Sequence, residues 1–301
     1  MSGFGKSKQS KRAFSKRLLK LSENELKNKS IESHLKGDLK QAENGYLAFI
    51  NFGYSDSDIY SNYALICQER GEIDKAIKLY LKCTSNYPNH IFSRLNLSFL
   101  YYTINDFKKA ELTINEAINL KPNLPNGYCI KGLILKSLSK NDESELVLKK
   151  ALEIDPDYFD AYINLGLLYK YLNKYDQAEN CYLKAIELKN DSPIAHLNLG
   201  ACYKDKQDLN KAIFHTKKAI NLDDKIKNGY LNLATIYNEK GDYNRSFLLA
   251  QKEIKINKEN TIAYQLICEL LKHIDLKNLI DKEKRQILKY LFERKDIPHR
   301  E

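Results

Sequence analysis

The chain has 301 residues, 43% of them hydrophobic and 29% charged, with a formal net charge of +10. This is the composition of a soluble protein, and no stretch approaches the roughly 18 consecutive apolar residues of a membrane span. The six cysteines, Cys67, Cys83, Cys129, Cys181, Cys202 and Cys268, show no CxxC or Cys/His spacing that would clasp a metal, so a zinc module is excluded and the thiols read as reduced, in a cytoplasmic setting.

Residues 1–22 carry Lys6, Lys8, Lys11, Arg12, Lys16, Arg17 and Lys20 and no acid, which is +7 of the total and leaves +3 for the remaining 279 residues. This leader reads as a basic, disordered segment, and it is the one part of the chain expected to touch nucleic acid or an anionic membrane. Beyond it the sequence repeats with a period of 34. Pro88, Pro122 and Pro156 mark the period, and Pro125 and Pro193 fall in the same short connection. The phase defines eight blocks, 23–56, 57–90, 91–124, 125–158, 159–192, 193–226, 227–260 and 261–294, followed by a tail at 295–301. One solenoid is therefore expected where length alone suggests about two globular domains.

The columns of the blocks have a physical logic. The fourth is aromatic at Tyr60, Tyr128, Tyr162, Tyr230 and Tyr264; the eighth is small at Ala64, Ser98, Gly166, Gly200 and Ala234; the eleventh is Tyr101, Tyr169, Tyr203 and Tyr237. These columns share one helical stripe, and a large, small, large sequence on it lets a second helix approach at the small residue. Turn residues follow at Gly37-Asp38, Gly71-Glu72, Asn105-Asp106 and Gly241-Asp242. The second helix brings Ala42, Ala76, Ala110, Ala178 and Ala212 at column 20, bulky Tyr46, Tyr80, Leu148 and Tyr182 at column 24, and Ala117, Ala151, Ala185 and Ala219 at column 27.

The pattern over residues 23 to about 294 resembles the tetratricopeptide repeat, with Tyr in place of the usual Trp at the first aromatic column. The resemblance implies an all-α fold, a right-handed α-solenoid of antiparallel helix pairs. The terminal blocks depart from it, with Leu26 at the aromatic column of the first and Ile280 and Ile287 at the alanine columns of the last, as expected of caps. In such arrays the first helices line a concave groove. Column 6 reads Asn28, Asn62, Asn96, Ile130, Asn164, Asn198, Asn232 and Leu266, so an amide stands at six of eight positions. The row resembles the asparagine ladder of O-linked N-acetylglucosamine transferases, which implies contact with the backbone of an extended peptide; a bridging or solvated role is the alternative.

The expected groove thus contains Asn62, Asn96, Asn164, Asn198 and Asn232, the apolar Leu65, Phe92, Phe99, Tyr102, Leu133, Leu167 and Tyr171, and a lysine edge at Lys136, Lys170 and Lys204. A clamp for the carboxyl-terminal tail of chaperones is not expected, since only two of five positions agree among Lys27, Ile31, Asn62, Phe92 and Asn96. The six histidines sit in unrelated columns, with no metal or nucleophile motif, so neither a cofactor nor catalysis is expected. The resulting expectation is a non-catalytic scaffold for a protein or peptide partner, with self-association through the last repeat as a further expectation. Two alternatives stand: the substrate-recruiting N-terminal part of a larger bacterial methyl-, sulfo- or glycosyltransferase, since a short basic leader with Gly3-Phe4-Gly5 ahead of such repeats resembles bacterial proteins that continue into those domains, and an RNA-binding helical repeat.

Overall fold

The structure is a computed structural model that describes residues 21–273; the leader up to residue 20, the second half of the last block with Ile280 and Ile287, and the tail at 295–301 lie outside the described residues. Fifteen helices and no strand occur among the described residues. Two compact units divide the chain, residues 1–150 and 151–301. The first holds α1 (Glu23–Leu35), α2 (Leu39–Asn51), α3 (Ser57–Glu69), α4 (Ile73–Asn86), α5 (Ile91–Thr103), α6 (Phe107–Leu120), α7 (Pro125–Ser137) and most of α8 (Asn141–Ile154). In the second are α9 (Phe159–Tyr171), α10 (Tyr175–Leu188), α11 (Pro193–Asp205), α12 (Leu209–Leu222), α13 (Gly229–Glu239), α14 (Tyr243–Ile256) and α15 (Thr261–Leu270).

Local chemistry fixes where these helices begin. Ser22 and Glu25 form a reciprocal capping box on α1, and Asp38, Asp106, Asp208 and Asp242 accept from backbone N–H groups at the starts of α2, α6, α12 and α14. Pro125 and Pro193 open α7 and α11, where a missing N–H costs nothing.

The first helix of each pair ends in a left-handed residue, and these residues keep the repeat: Gly37, Gly71, Asn105, Ser139, Asn173, Gln207 and Gly241 all have φ between +57° and +79°. Each is followed by a backbone N–H that reaches back five residues, as in Asp106 to Tyr101 and Asp208 to Tyr203, both at 2.9 Å, which satisfies an otherwise orphaned carbonyl. Ser139 and Gln207 hold this conformation at a steric cost that glycine avoids. Gln207→Gly is expected to raise stability by about 1 kcal/mol, read from the midpoint of chemical denaturation; an unchanged or lowered midpoint would refute the strain.

The pairs close through the small residues of column 8. A Cβ built on Gly132 would stand 2.6 Å from Leu148, and one on Gly200 would stand 2.4 Å from the Thr216 hydroxyl. Where serine takes a column of small residues, its hydroxyl donates to a main-chain carbonyl of the facing helix: Ser98 to Ala110 and Ser246 to Ala234 at 2.8 Å, Ser144 to Gly132 at 2.7 Å. The column-24 residues Tyr46, Tyr80 and Tyr182 are fully buried behind this contact. In the first unit the core runs unbroken from Leu26 to Ile134.

Candidate functional site

In the first unit the stripe of α5 opposite its core carries Phe92, Asn96 and Phe99 at one-turn spacings. Phe92 is 67% exposed and Phe99 39%, large values for phenylalanine, and Phe99 stacks on half-buried Tyr102 with ring centres 5.9 Å apart. Half-buried Asn62 and Leu65 occupy the same columns on α3, and Leu133 and Lys136, also half-buried, lie on α7. Ile130, which interrupts the amide row, is buried. Lys27 pairs with Asp56 at 2.5 Å and Asp58 at 3.6 Å, so its charge is already answered.

Two amides of this unit look inward as well as outward. Burial pushes the Tyr46 hydroxyl up to about 12, with the Asn62 amide pulling against it. Burial likewise raises Tyr80 and Asn96 opposes it, although that hydroxyl closes no hydrogen bond of standard geometry. Tyr46 and Tyr80 belong to the block before each asparagine, so each amide acts on a buried tyrosine of the preceding repeat.

The second unit presents a different surface. Asn164, Leu167, Asn198 and Asn232 are half-buried, and Tyr171 is 58% exposed. The Asn198 amide nitrogen is buried without a partner, as is the Tyr182 hydroxyl of the preceding block. Lys170 pairs with Asp205 at 2.8 Å, and Lys204 lies 3.4 Å from Asp205 and 3.2 Å from Glu239. Burial opposes the Lys204 charge, but the Glu239 hydrogen bond and the field of Asp205 raise its pKa on balance. The positive edge expected from these lysines is therefore offset by acids one residue further along each following block.

The structure also assembles side chains that the columns keep apart. His196 on α11 and His215 on α12 stack at 5.4 Å with their Nδ1 atoms 3.1 Å apart, and Tyr203 stacks on the other side of His215 at 5.5 Å. His196 Nε2 lies 3.1 Å from the Asn190 carbonyl, which only accepts, so Nε2 carries the proton and Nδ1 accepts from His215. A proton added to His196 enters at Nδ1, where it would meet the Nδ1–H of His215; one added to His215 enters at its Nε2 and leaves the pair's hydrogen bond in place.

Burial, then His196 and Lys211, depress His215 from 6.5 to about 4 against the opposing Glu179; burial and Lys218 also lower His196, against the Asn190 carbonyl. Between pH 6.5 and about 4 the unfolded chain binds more protons than the folded one, so stability present at neutral pH is lost as pH falls through that window. The expected loss is about 2 kcal/mol, reduced for partial solvent access. Urea midpoints at pH 7 and pH 4.5 measure it, and a slope unchanged in a His196→Tyr/His215→Phe variant would sink the assignment.

A second assembly joins Cys83, His90, Ser93 and Asp58. His90 Nδ1 lies 3.7 Å from Cys83 Sγ, and its Nε2 lies 3.7 Å from Asp58. The order resembles a thiol, base and acid relay, but the chemistry is that of a helix cap. Nδ1 accepts from the Ser93 backbone N–H at 3.3 Å at the start of α5, while the fully buried thiol donates to the Ser57 carbonyl at 3.4 Å. Burial raises the Cys83 pKa, which holds it as a thiol. Among the described residues no group of three or more His, Cys, Asp or Glu side chains is placed to hold a metal, and no helix is long and apolar enough to cross a membrane.

Helix pairs closing on a small column, with left-handed residues every 34 positions, define a helical-repeat protein. Models described as TPR repeat match residues 132–172 and 168–207, and one described as Tetratricopeptide repeat matches 57–90, 93–124 and 194–226. Together they span more than half of the sequence, and the chain belongs to the tetratricopeptide repeat family. No curated protein matches the chain.

Among solved structures, a tetratricopeptide repeat protein from Parabacteroides merdae is 20% identical with a TM-score of 0.71, over 83% of this chain and 98% of its own. Cut9–Hcn1, an APC/C hetero-tetramer, contains a chain 16% identical with a TM-score of 0.63, over 89% of this chain and 55% of its own. The human IFIT1 dimer with m7Gppp-AAAA gives 16% and 0.65, over 95% of this chain and 82% of its own. At these identities the likeness shows the fold alone.

Proposed function

We propose that the chain is a non-catalytic protein-interaction scaffold, an array of eight repeats over residues 23–294 whose first helices bind an extended peptide or a partner helix. The observation that carries this reading is the aromatic stripe of α5, where Phe92 and Phe99 stand in water on either side of Asn96. Apolar surface left in water forfeits about 25 cal/mol per Å², and contiguous exposure of this kind is characteristic of interaction surfaces. Leu65 and Leu133 extend the apolar character to α3 and α7, and Asn62 and Asn96 offer amides beside it. The partner this favours presents apolar anchors one helical turn apart or on alternate residues of a strand.

A displayed peptide library selected against the wild type, then rescreened on Phe92→Ser/Phe99→Ser, tests the reading. Selected peptides are expected to bind the variant at least tenfold more weakly while its thermal midpoint stays within a few degrees. Equal binding to both proteins would move the site elsewhere. The capped RNA held by human IFIT1 gives no support for RNA on the second unit's face, where Lys170 and Lys204 are paired with acids.

A further inference from the structure

A cavity of about 600 Å³ in the second unit lies away from the amide columns, among α12, α13 and α14. Four cations line it, Lys217, Arg245, Lys252 and Lys255, and no Asp or Glu does. Arg245 holds Asp242 at 3.3 Å. Among the described residues Lys217 and Lys252 meet only aromatic rings: Lys217 Nζ is 6.0 Å from the centre of Tyr237, and Lys252 Nζ is 5.5 Å from that of Tyr230. The guanidinium of Arg245 lies over Tyr237 as well, at 5.6 Å.

Lys217 and Lys252 line the cavity with no acid against them, and they repel one another and the neighbouring Arg245, an arrangement that a multiply charged anion relieves. A second and independent feature points the same way. Gln251, 95% buried by its 5% exposure, lines the cavity, and its amide nitrogen has no hydrogen-bond partner. A buried donor of this kind calls for an acceptor that the protein itself does not supply. Tyr237 and the leucines beside it form an apolar wall, and the volume is in the range of small-molecule sites and far larger than one phosphate needs.

We propose that this cavity binds a small molecule bearing a polyphosphate, with Lys217, Lys252 and Arg245 neutralising the phosphates and the Gln251 amide donating to one phosphate oxygen. A lone carboxylate would answer one of Lys217 and Lys252 and leave the other without an anion. The site is separate from the peptide-binding face and does not depend on it.

Calorimetric titration of the full chain with inorganic triphosphate tests the proposal. The wild type is expected to saturate at one ligand per chain and to weaken with added salt. Lys217→Gln/Lys252→Gln, both exposed, should bind at least tenfold more weakly with an unchanged melting curve. Lys16→Gln/Arg17→Gln removes the same charge from the basic leader and should bind as the wild type does. Absence of saturable binding overturns the proposal, and so does equal weakening of the two double variants, which would make the effect one of net charge. Gln251→Leu, which keeps every cation, should weaken binding several-fold, and wild-type affinity in that variant would remove the buried amide from the site.

Discussion

Gly166→Val is expected to destabilise the second unit by about 3 kcal/mol, near the upper end for overpacked cores. A Cβ on Gly166 would stand 2.4 Å from Cε1 and 2.8 Å from Cδ1 of Tyr182, and that ring is fully buried and has nowhere to retreat. The second block shows how far the arrangement can give. There Ala64 occupies the glycine's column with Tyr80 in the tyrosine's, and both are fully buried, so one methyl is compatible with the aromatic in that block. Gly166→Ala should therefore cost much less than Gly166→Val. Adding Tyr182→Leu to the valine variant should recover part of the loss, giving a coupling of about 1 kcal/mol or more. Strict additivity would mean that the ring is not what the new side chain meets.

Glu253→Ala is expected to cost about 3 kcal/mol, although alanine is the residue that Ala117, Ala151, Ala185 and Ala219 place in the same column. Glu253 is 1% exposed, and its two oxygens accept from the Asn228 N–H at 3.3 Å, the Leu231 N–H at 3.2 Å and the Asn260 amide at 3.0 Å. Asn228, left-handed at φ +62°, stands before α13 and gives it no side-chain cap. The carboxylate of α14 thus does the work of a missing N-cap, and its negative charge sits at the positive end of the helix. Alanine would leave two main-chain donors without acceptors and the Asn260 amide with only its bond to Asn228 Oδ1, while Glu253→Gln, keeping one oxygen, should lose about half as much. Denaturant midpoints of the three proteins decide the matter. A loss under about 1 kcal/mol for the alanine variant would mean that water replaces the carboxylate at the helix end.

The repeat and its turns were legible because they rest on backbone demands that few residues meet. Gly37, Gly71 and Gly241 announce a positive φ, and the tyrosines and alanines of columns 24 and 20 announce a core. Ser139 and Gln207 carry no such signal, and the period alone places them. The histidine pair was hidden because His196 and His215 lie 19 residues apart in unlike columns and meet only when α11 packs on α12. Glu253 stands in the column of Ala117, Ala151, Ala185 and Ala219 and drew no reading from the pattern, because its role depends on the late start of α13. The lysine row was legible as a row; its neutralisation was not, since each acid comes from the block that follows. The amides of column 6 read as facing a ligand or as bridging, and the influence of Asn62 and Asn96 on the buried Tyr46 and Tyr80 of the preceding block is nothing that a column pattern announces.

The alternation of Lys170, Asp205, Lys204 and Glu239 along the second unit has a consequence for selectivity. An acidic segment arriving at Lys170 or Lys204 would have to displace Asp205 or Glu239, so its gain would be the difference between two similar pairings. Exchange of that sort discriminates by geometry more than by charge. A ligand with a carboxylate at the spacing of the acids would enter by substitution, and one without it would be turned away however negative it is.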